Sequence, residues 1–317
     1  MQSTKTRTLS ISITLIIAII LALYLRANSH LFLTLKNVSV TTIIELVLLR
    51  VLFMVVNGAI LGIFIAKFNI MLNWRELIGL PIITALGNYL TPFSGGLVAR
   101  AAYLKKKHVF PLAQFAALIS VTYLVTFWVM GVLGSVLALG LAGDVKVNWL
   151  VIVLFLGVAS GISLLLALPA VHFSDRNWLL RSINTALEGW ELARRDWALL
   201  GKLAALSLIN VLLHGASFWI TYNALGFKTP FISALLVSLM SMFSILINIT
   251  PANLGIQEAF ISASSALLYL DPGESLLVAL IIRITTMIPI FILGPLFSYW
   301  LTREAAALSE NETRSQP

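Results

Sequence analysis

Two copies of one short pattern carry the most telling polar chemistry of this chain: Thr91-Pro92-Phe93-Ser94-Gly95-Gly96 and Thr250-Pro251-Ala252-Asn253-Leu254-Gly255. In each, an apolar run ends in Thr-Pro, a glycine stands five residues after the threonine, and a lone charge follows within about a turn, Arg100 in the first copy and Glu258 in the second. Asn88 precedes the first break and Asn248 the second. Proline removes an amide donor and glycine tolerates tight backbone, so each stretch predicts a helix broken into two halves. Inside a bilayer such a break is tolerated only where the freed backbone groups meet protein or a watery cavity. The half-helix beginning near Gly95 and Gly96 aims its amides and positive dipole end at that space, with Arg100 one turn on, which is the chemistry of a phosphate site.

Isolated charges at membrane depth cost about 2.5–3.5 kcal/mol each on the insertion scale, so Arg100, Glu258 and Arg283 need partners or water. We expect the anion to be held by Arg100, the hairpin amides of Gly95 and Gly96, and Arg283, with Asn88, Asn248 and Asn253 at the rims. Glu258 is expected to act as a competing counter-charge or proton site, pairing with Arg100 near the midplane. A structural reading stands beside this one, in which Glu258 simply neutralises an arginine. Arg50 and Glu45 lie nearer the end of a span and rank lower, because long side chains near an end can reach the surface.

Other chemistries fit poorly. The aspartates at 144, 175, 196 and 271 all fall in predicted loops, so no intramembrane aspartyl dyad is offered. No HExxH, Walker loop or dinucleotide fingerprint is present. His214-Gly215-Ala216-Ser217 lacks a later histidine to act as base, and His214 reads as a packed, hydrogen-bonded residue. Cysteine is absent, which removes thiolate chemistry and Cys-based metal sites. We therefore expect no catalytic residue, no metal, no cofactor and no enzyme activity.

The elements that must position these residues are apolar helices. Hydrophobic residues make up 59% of the 317 and charged residues 11%, against about 25% charged in soluble domains. The fold class expected is an all-α polytopic membrane protein forming a single transmembrane domain over 1–317, with about six full spans and two broken or re-entrant hairpins. The predicted spans are Leu9–Leu25, Thr42–Ala66, Pro111–Leu141, Trp149–Leu168, Leu203–Asn223 and Leu276–Trp300. The hairpins are Leu77–Leu90 with Gly96–Tyr103, and Phe231–Ile249 with Gly255–Leu270, the second pair being long enough that two full spans remain an alternative. Ser174 to Lys202 reads as an amphipathic helix on the cytoplasmic surface, and 303–317 as a polar tail.

In this layout Arg26, Lys36, Lys146 and Lys228 are external, Arg50, Arg100 and Arg283 lie within the membrane, and the remaining basic residues are cytoplasmic. Both termini are then cytoplasmic and the location is the plasma (inner) membrane. The net charge of +8 thus sets orientation and does not point to nucleic acid. Two halves, about 1–145 and 146–302, follow the same order in opposite orientation, an inverted repeat of the kind found in alternating-access transporters.

At Gly87-Asn88, Thr91-Pro92, Gly96, Arg100 to Lys107, Thr250-Pro251, Gly255, Glu258-Ala259, Arg283, Thr285, Pro289 and Gly294, the sequence resembles the lysylphosphatidylglycerol synthase transmembrane-region family. The resemblance covers nearly the whole chain. It implies a flippase-like membrane domain that moves a lipid between leaflets, in the best understood members an aminoacylated phosphatidylglycerol. It lacks here the soluble aminoacyl-transferase domain of those members, and Pro251-Ala252-Asn253 stands where they often carry Pro-Gly-Gly. The expectation is a translocator of an anionic phospholipid or polyprenyl-type lipid, with a membrane lipid as its partner. The alternatives are a secondary transporter of a small anion, or a non-transporting partner of an envelope-lipid enzyme. Oligomeric state is not legible.

Overall fold

The computed structural model describes residues 38–141, 147–167, 196–247 and 249–314, with positions 177, 180, 184 and 191. The predicted first span, Asn248, Asp144 and nearly all of 174–195 fall outside them. Among the described residues there are nine α-helices and no strand. They are α1 (Val40–Ile65), α2 (Trp74–Leu90), α3 (Gly95–His108), α4 (Leu112–Leu141), α5 (Trp149–Ala167), α6 (Trp197–Ala224), α7 (Phe231–Met242), α8 (Ile256–Leu267) and α9 (Pro272–Arg314). Among the described residues four stretches are long and apolar enough to cross a membrane: Val40–Phe68, Leu112–Leu141, Trp197–Ala224 and Pro272–Glu304. The protein is a membrane-embedded, multi-pass helical bundle.

Helix starts follow the local chemistry. The Ser39 hydroxyl accepts from the Thr42 N–H to start α1, the Asp196 carboxylate accepts from the Leu199 N–H to start α6, and Asp271 Oδ1 accepts from the Glu274 N–H at α9. Asn73 and Glu76 form a reciprocal capping box at α2. Because Asp196 caps α6, that span begins earlier than Leu203, and the end of the stretch expected on the surface belongs to the membrane helix. The polar tail expected from 303 onward is instead a continuation of α9, which runs unbroken to Arg314.

Both Thr-Pro stretches break the helix, and they do so with the same backbone geometry. The third and fourth residues of each copy are left-handed: Phe93 and Ser94 at φ 56° and 56°, Ala252 and Asn253 at φ 47° and 57°. Left-handed backbone costs a non-glycine residue about 1–2 kcal/mol, so each tip holds two strained residues in succession. The helices around the tips are short. The first arm of the second hairpin is α7 continued by the 3-10 turn Phe243–Leu246, about 26 Å in all, and the second is the 12-residue α8, about 18 Å, both short of a bilayer core of about 30 Å. The 231–270 stretch thus has the arm lengths of a hairpin.

The two hairpins enter the bundle from opposite ends. At one end Lys67 meets Asp196, and the α9 residue Glu304 meets Arg75 and Lys107 at the base of the α2–α3 hairpin. At the other end the Asn148 N–H donates to the Leu267 carbonyl at 3.2 Å, and Tyr222 bonds Ser275 at 2.6 Å, at the base of the α7–α8 hairpin. Helix α2 packs against the 251–253 turn of the second tip, so the tips come together inside the bundle. One buried cluster, including Phe155, Phe218, Leu236 and Leu277, surrounds the second hairpin, and another, including Phe64, Leu104, Val121 and Leu203, surrounds the first.

Candidate functional site

Where the tips meet, polar residues spaced along otherwise apolar helices turn to one side. On α1 these are Arg50 and Asn57, two turns apart. On α4 they are Thr122, Tyr123 and Thr126, and on α6 Asn210 and His214, one turn apart. Together with Asn88, Ser94 and Arg100 of the first hairpin and Ala252, Asn253 and Gln257 of the second, they line one cavity of about 420 Å³. The rest of the lining is largely apolar, including Leu97, Ile119, Met242 and Ile290.

Two guanidinium groups face this space, and neither has an acidic partner among the described residues. Arg50 lies over the Phe53 ring at 5.1 Å and Arg100 over the Phe115 ring at 5.4 Å. A ring face attracts a cation by about 0.5–2 kcal/mol but does not neutralise it.

The lining also holds orphaned hydrogen-bonding atoms. Among the described residues, the buried side-chain polar atoms without a partner are Arg100 Nε, Asn210 Oδ1, His214 Nδ1 and Asn253 Oδ1, and all four residues line this one cavity. An unsatisfied buried group costs about 1–3 kcal/mol, and such groups are uncommon in native proteins. Four converging on one space mark it as the place where a polar ligand or water completes their bonding.

The sequence-predicted residues divide into two sets. Arg100, Asn88 and Asn253 line the cavity. Gly95 and Gly96 do not; they let the hairpin close. The Gly96 N–H donates to Asn88 Oδ1 at 3.0 Å, so that amide is occupied within the protein. A Cβ built on Gly96 would stand 1.8 Å from the Thr84 carbonyl oxygen, and one on Gly95 would stand 2.0 Å from Thr91 Oγ1.

Glu258 and Arg283 also lie off the cavity, bound to each other: Arg283 Nε donates to Glu258 Oε1. The same guanidinium donates to the Ala252 carbonyl at 3.1 Å, the Asn253 carbonyl at 3.4 Å and Gln257 Oε1 at 3.3 Å, while Glu258 accepts from the Gly255 N–H at 2.7 Å. Arg283 therefore satisfies carbonyls freed by the break, and the expected pairing of Glu258 with Arg100 gives way to a brace between α9 and the second tip. The reason is the packing of α8 on α9, which brings Arg283 to the first turn of α8.

Arg50, Asn57, Tyr123, Asn210 and His214 also line the site, although none is among the binding residues expected from the sequence. Arg50 was assigned to a span's end; it stands well inside α1, a turn before Phe53. The signal that could have found them is polar residues at helical spacing within apolar runs: Arg50 with Asn57, and Asn210 with His214.

A second polar cluster lies outside the cavity at the base of the first hairpin. Glu76, 1% exposed, accepts from the Asn73 N–H at 2.9 Å and the Tyr103 hydroxyl at 3.0 Å, and bonds His108 at 2.6 Å, with Lys107 at 3.3 Å. Burial works to raise its pKa, but the bonds from His108 and Asn73 and the charges of His108 and Lys107 outweigh it and hold the carboxyl down at about 2. Among the described residues no group of three His, Cys, Asp or Glu side chains could hold a metal ion.

A family model described as "Lysylphosphatidylglycerol synthase TM region" matches residues 8–294, nearly the whole chain. No curated protein and no solved structure matches.

Proposed function

The chain belongs to the lysylphosphatidylglycerol synthase transmembrane-region family, and from that membership and the cavity we propose that it moves an anionic lipid, a phospholipid or polyprenyl-type lipid, between the leaflets of the plasma membrane. The observation that carries the reading is the convergence, on one cavity between the two broken hairpins, of two arginines and four orphaned polar atoms that have no counter-ion or partner among the described residues. The lipid phosphate sits against Arg100 and Arg50, whose charge-assisted bonds are about twice as strong as neutral ones. Asn88 and Asn253 line the same space from the two tips. Gly95 and Gly96 shape the first tip, and Glu258 with Arg283 holds the second in place. No residue is given a catalytic role.

A cavity of this volume suits a headgroup, not acyl chains, which fits a site that polar headgroups cross while tails stay in the bilayer. Two hairpins entering from opposite ends and meeting inside are the arrangement expected of an inverted repeat that rocks around a central site. Purified protein in sealed vesicles, with a fluorescent phosphatidylglycerol whose outer-leaflet fraction is bleached by a membrane-impermeant reductant, tests the reading. The expected result is bleaching beyond the outer-leaflet share in the presence of the protein, at a rate that Arg100→Gln lowers about 10–100-fold. No bleaching beyond the protein-free level, by folded protein, contradicts lipid translocation.

A further inference from the structure

The orphaned atoms of the cavity are not alike, and their types specify more than an anion. Asn253 Nδ2 already donates to the Ser244 carbonyl at 2.6 Å, which leaves Oδ1 as an unpaired acceptor. The Ser241 hydroxyl spends its single proton on the Ser238 carbonyl at 2.7 Å, so toward His214, at 3.4 Å, it accepts from Nε2–H. Nδ1 of the neutral ring is then a lone pair without a donor. Asn210 Oδ1 is a third. Three buried acceptors, at Asn210, His214 and Asn253, share the cavity with two guanidinium groups.

Acceptors call for N–H or O–H donors, and the charge of the cavity decides between them. Among the described residues its lining contains no Asp or Glu, and the nearby carboxylate of Glu258 is already held by Arg283 and the Gly255 N–H. An ammonium group would be placed beside two guanidiniums with no carboxylate among the described lining residues to compensate it. A hydroxyl donates without carrying charge. Resting on the reading of the cavity as an anion site, we infer that it takes a hydroxyl-bearing phosphate ester, a glycerol or sugar phosphate, and excludes cationic aminoacylated headgroups. The phosphate lies at Arg50 and Arg100, and the hydroxyls donate to Asn210, His214 and Asn253.

The test is equilibrium titration of the detergent-solubilised full chain, followed by native mass spectrometry. The lipids are phosphatidylglycerol, lysyl-phosphatidylglycerol, phosphatidylethanol and phosphatidylcholine. Phosphatidylethanol carries the same diester charge as phosphatidylglycerol and no hydroxyl. Phosphatidylglycerol is expected to bind about tenfold more tightly than phosphatidylethanol, the factor that one bond to a buried acceptor supplies, and lysyl-phosphatidylglycerol more weakly than both. That preference should fall toward one in Asn210→Leu and, independently, in His214→Phe.

Equal binding of phosphatidylglycerol and phosphatidylethanol overturns the inference, as does a preference unchanged in both variants. Lysyl-phosphatidylglycerol binding as tightly as phosphatidylglycerol overturns it too. If the two anionic lipids still exceed phosphatidylcholine and lose that excess in Arg100→Gln, the anion site stands while the hydroxyl requirement falls. If neither exceeds phosphatidylcholine, both fall. Water-soluble glycerol 3-phosphate competing as tightly as the lipid supports the ester chemistry and assigns it to a soluble source.

Discussion

Glu258 faces Arg283 and not Arg100. The Arg283 Nε donates to the Glu258 carboxylate while the rest of its guanidinium closes over the Ala252 and Asn253 carbonyls. Arg100 is left with the Phe115 ring and the cavity. Two lone charges that look equivalent in the sequence thus stand in different settings, one bracing a hairpin tip and one turned to the cavity.

That division predicts different thermal behaviour. Removing one partner of a buried ion pair strands the other, a loss of about 3–5 kcal/mol. Glu258→Gln and Arg283→Gln should each lower Tm markedly. Arg100→Gln should hold or raise it, because it deletes a charge that has no counter-ion among the described residues. A Tm drop in Arg100→Gln as large as that in Glu258→Gln would show Arg100 to be part of the structural brace.

Glycine substitutions separate packing from propensity. In Gly96→Ala the new methyl meets the Thr84 carbonyl oxygen, and forcing the two hairpin arms apart should cost about 1–3 kcal/mol. Nothing lies within 4 Å of a Cβ at Gly157, so Gly157→Ala should be neutral or stabilising by up to about 1 kcal/mol. Denaturation of the two variants in one detergent checks the order.

Glu76 gives an acid-dependent contribution at the base of the first hairpin. Its folded pKa, about 2, lies below the ordinary 4.5, so the folded state favours the ionised form. The resulting stability is complete above about pH 4.5 and is lost as pH falls toward 2. The Tm gap between the parent chain and Glu76→Gln should be flat from pH 7 to about 5 and narrow below it. A gap that widens on acidification would contradict this sign.

The two helix breaks and the long spans at 42–66, 111–141, 203–223 and 276–300 were legible because apolar length, Thr-Pro and glycine act locally, whereas 231–270 stayed open between a hairpin and two full spans. Two residues show where legibility stopped. Arg50 and His214 sit on different helices, and only the packing of α1 on α6 brings them to one cavity. The partner of Glu258 is not legible for the same reason, since Arg283 reaches the second tip through the contact of α8 with α9. Charge at membrane depth announces that a partner exists, but the chain order does not say which one.

Sidedness is open to labelling, because the sequence has no native cysteine to remove. Single cysteines at Lys106 and Asp271 should react with an impermeant maleimide from opposite faces, the first from the cytoplasmic side and the second from outside. Reaction of both from the same face would contradict hairpins that enter from opposite ends.

Arg100 is the residue on which the proposed function rests. In sealed vesicles at matched protein density, Arg100→Gln should lower the rate of fluorescent phosphatidylglycerol transfer by about 10–100-fold, the factor expected for losing a charged hydrogen bond to phosphate. Its Tm should stay at or above that of the parent chain. Transfer at the parent rate by stably folded Arg100→Gln protein would contradict the phosphate site and the lipid-translocation account built on it.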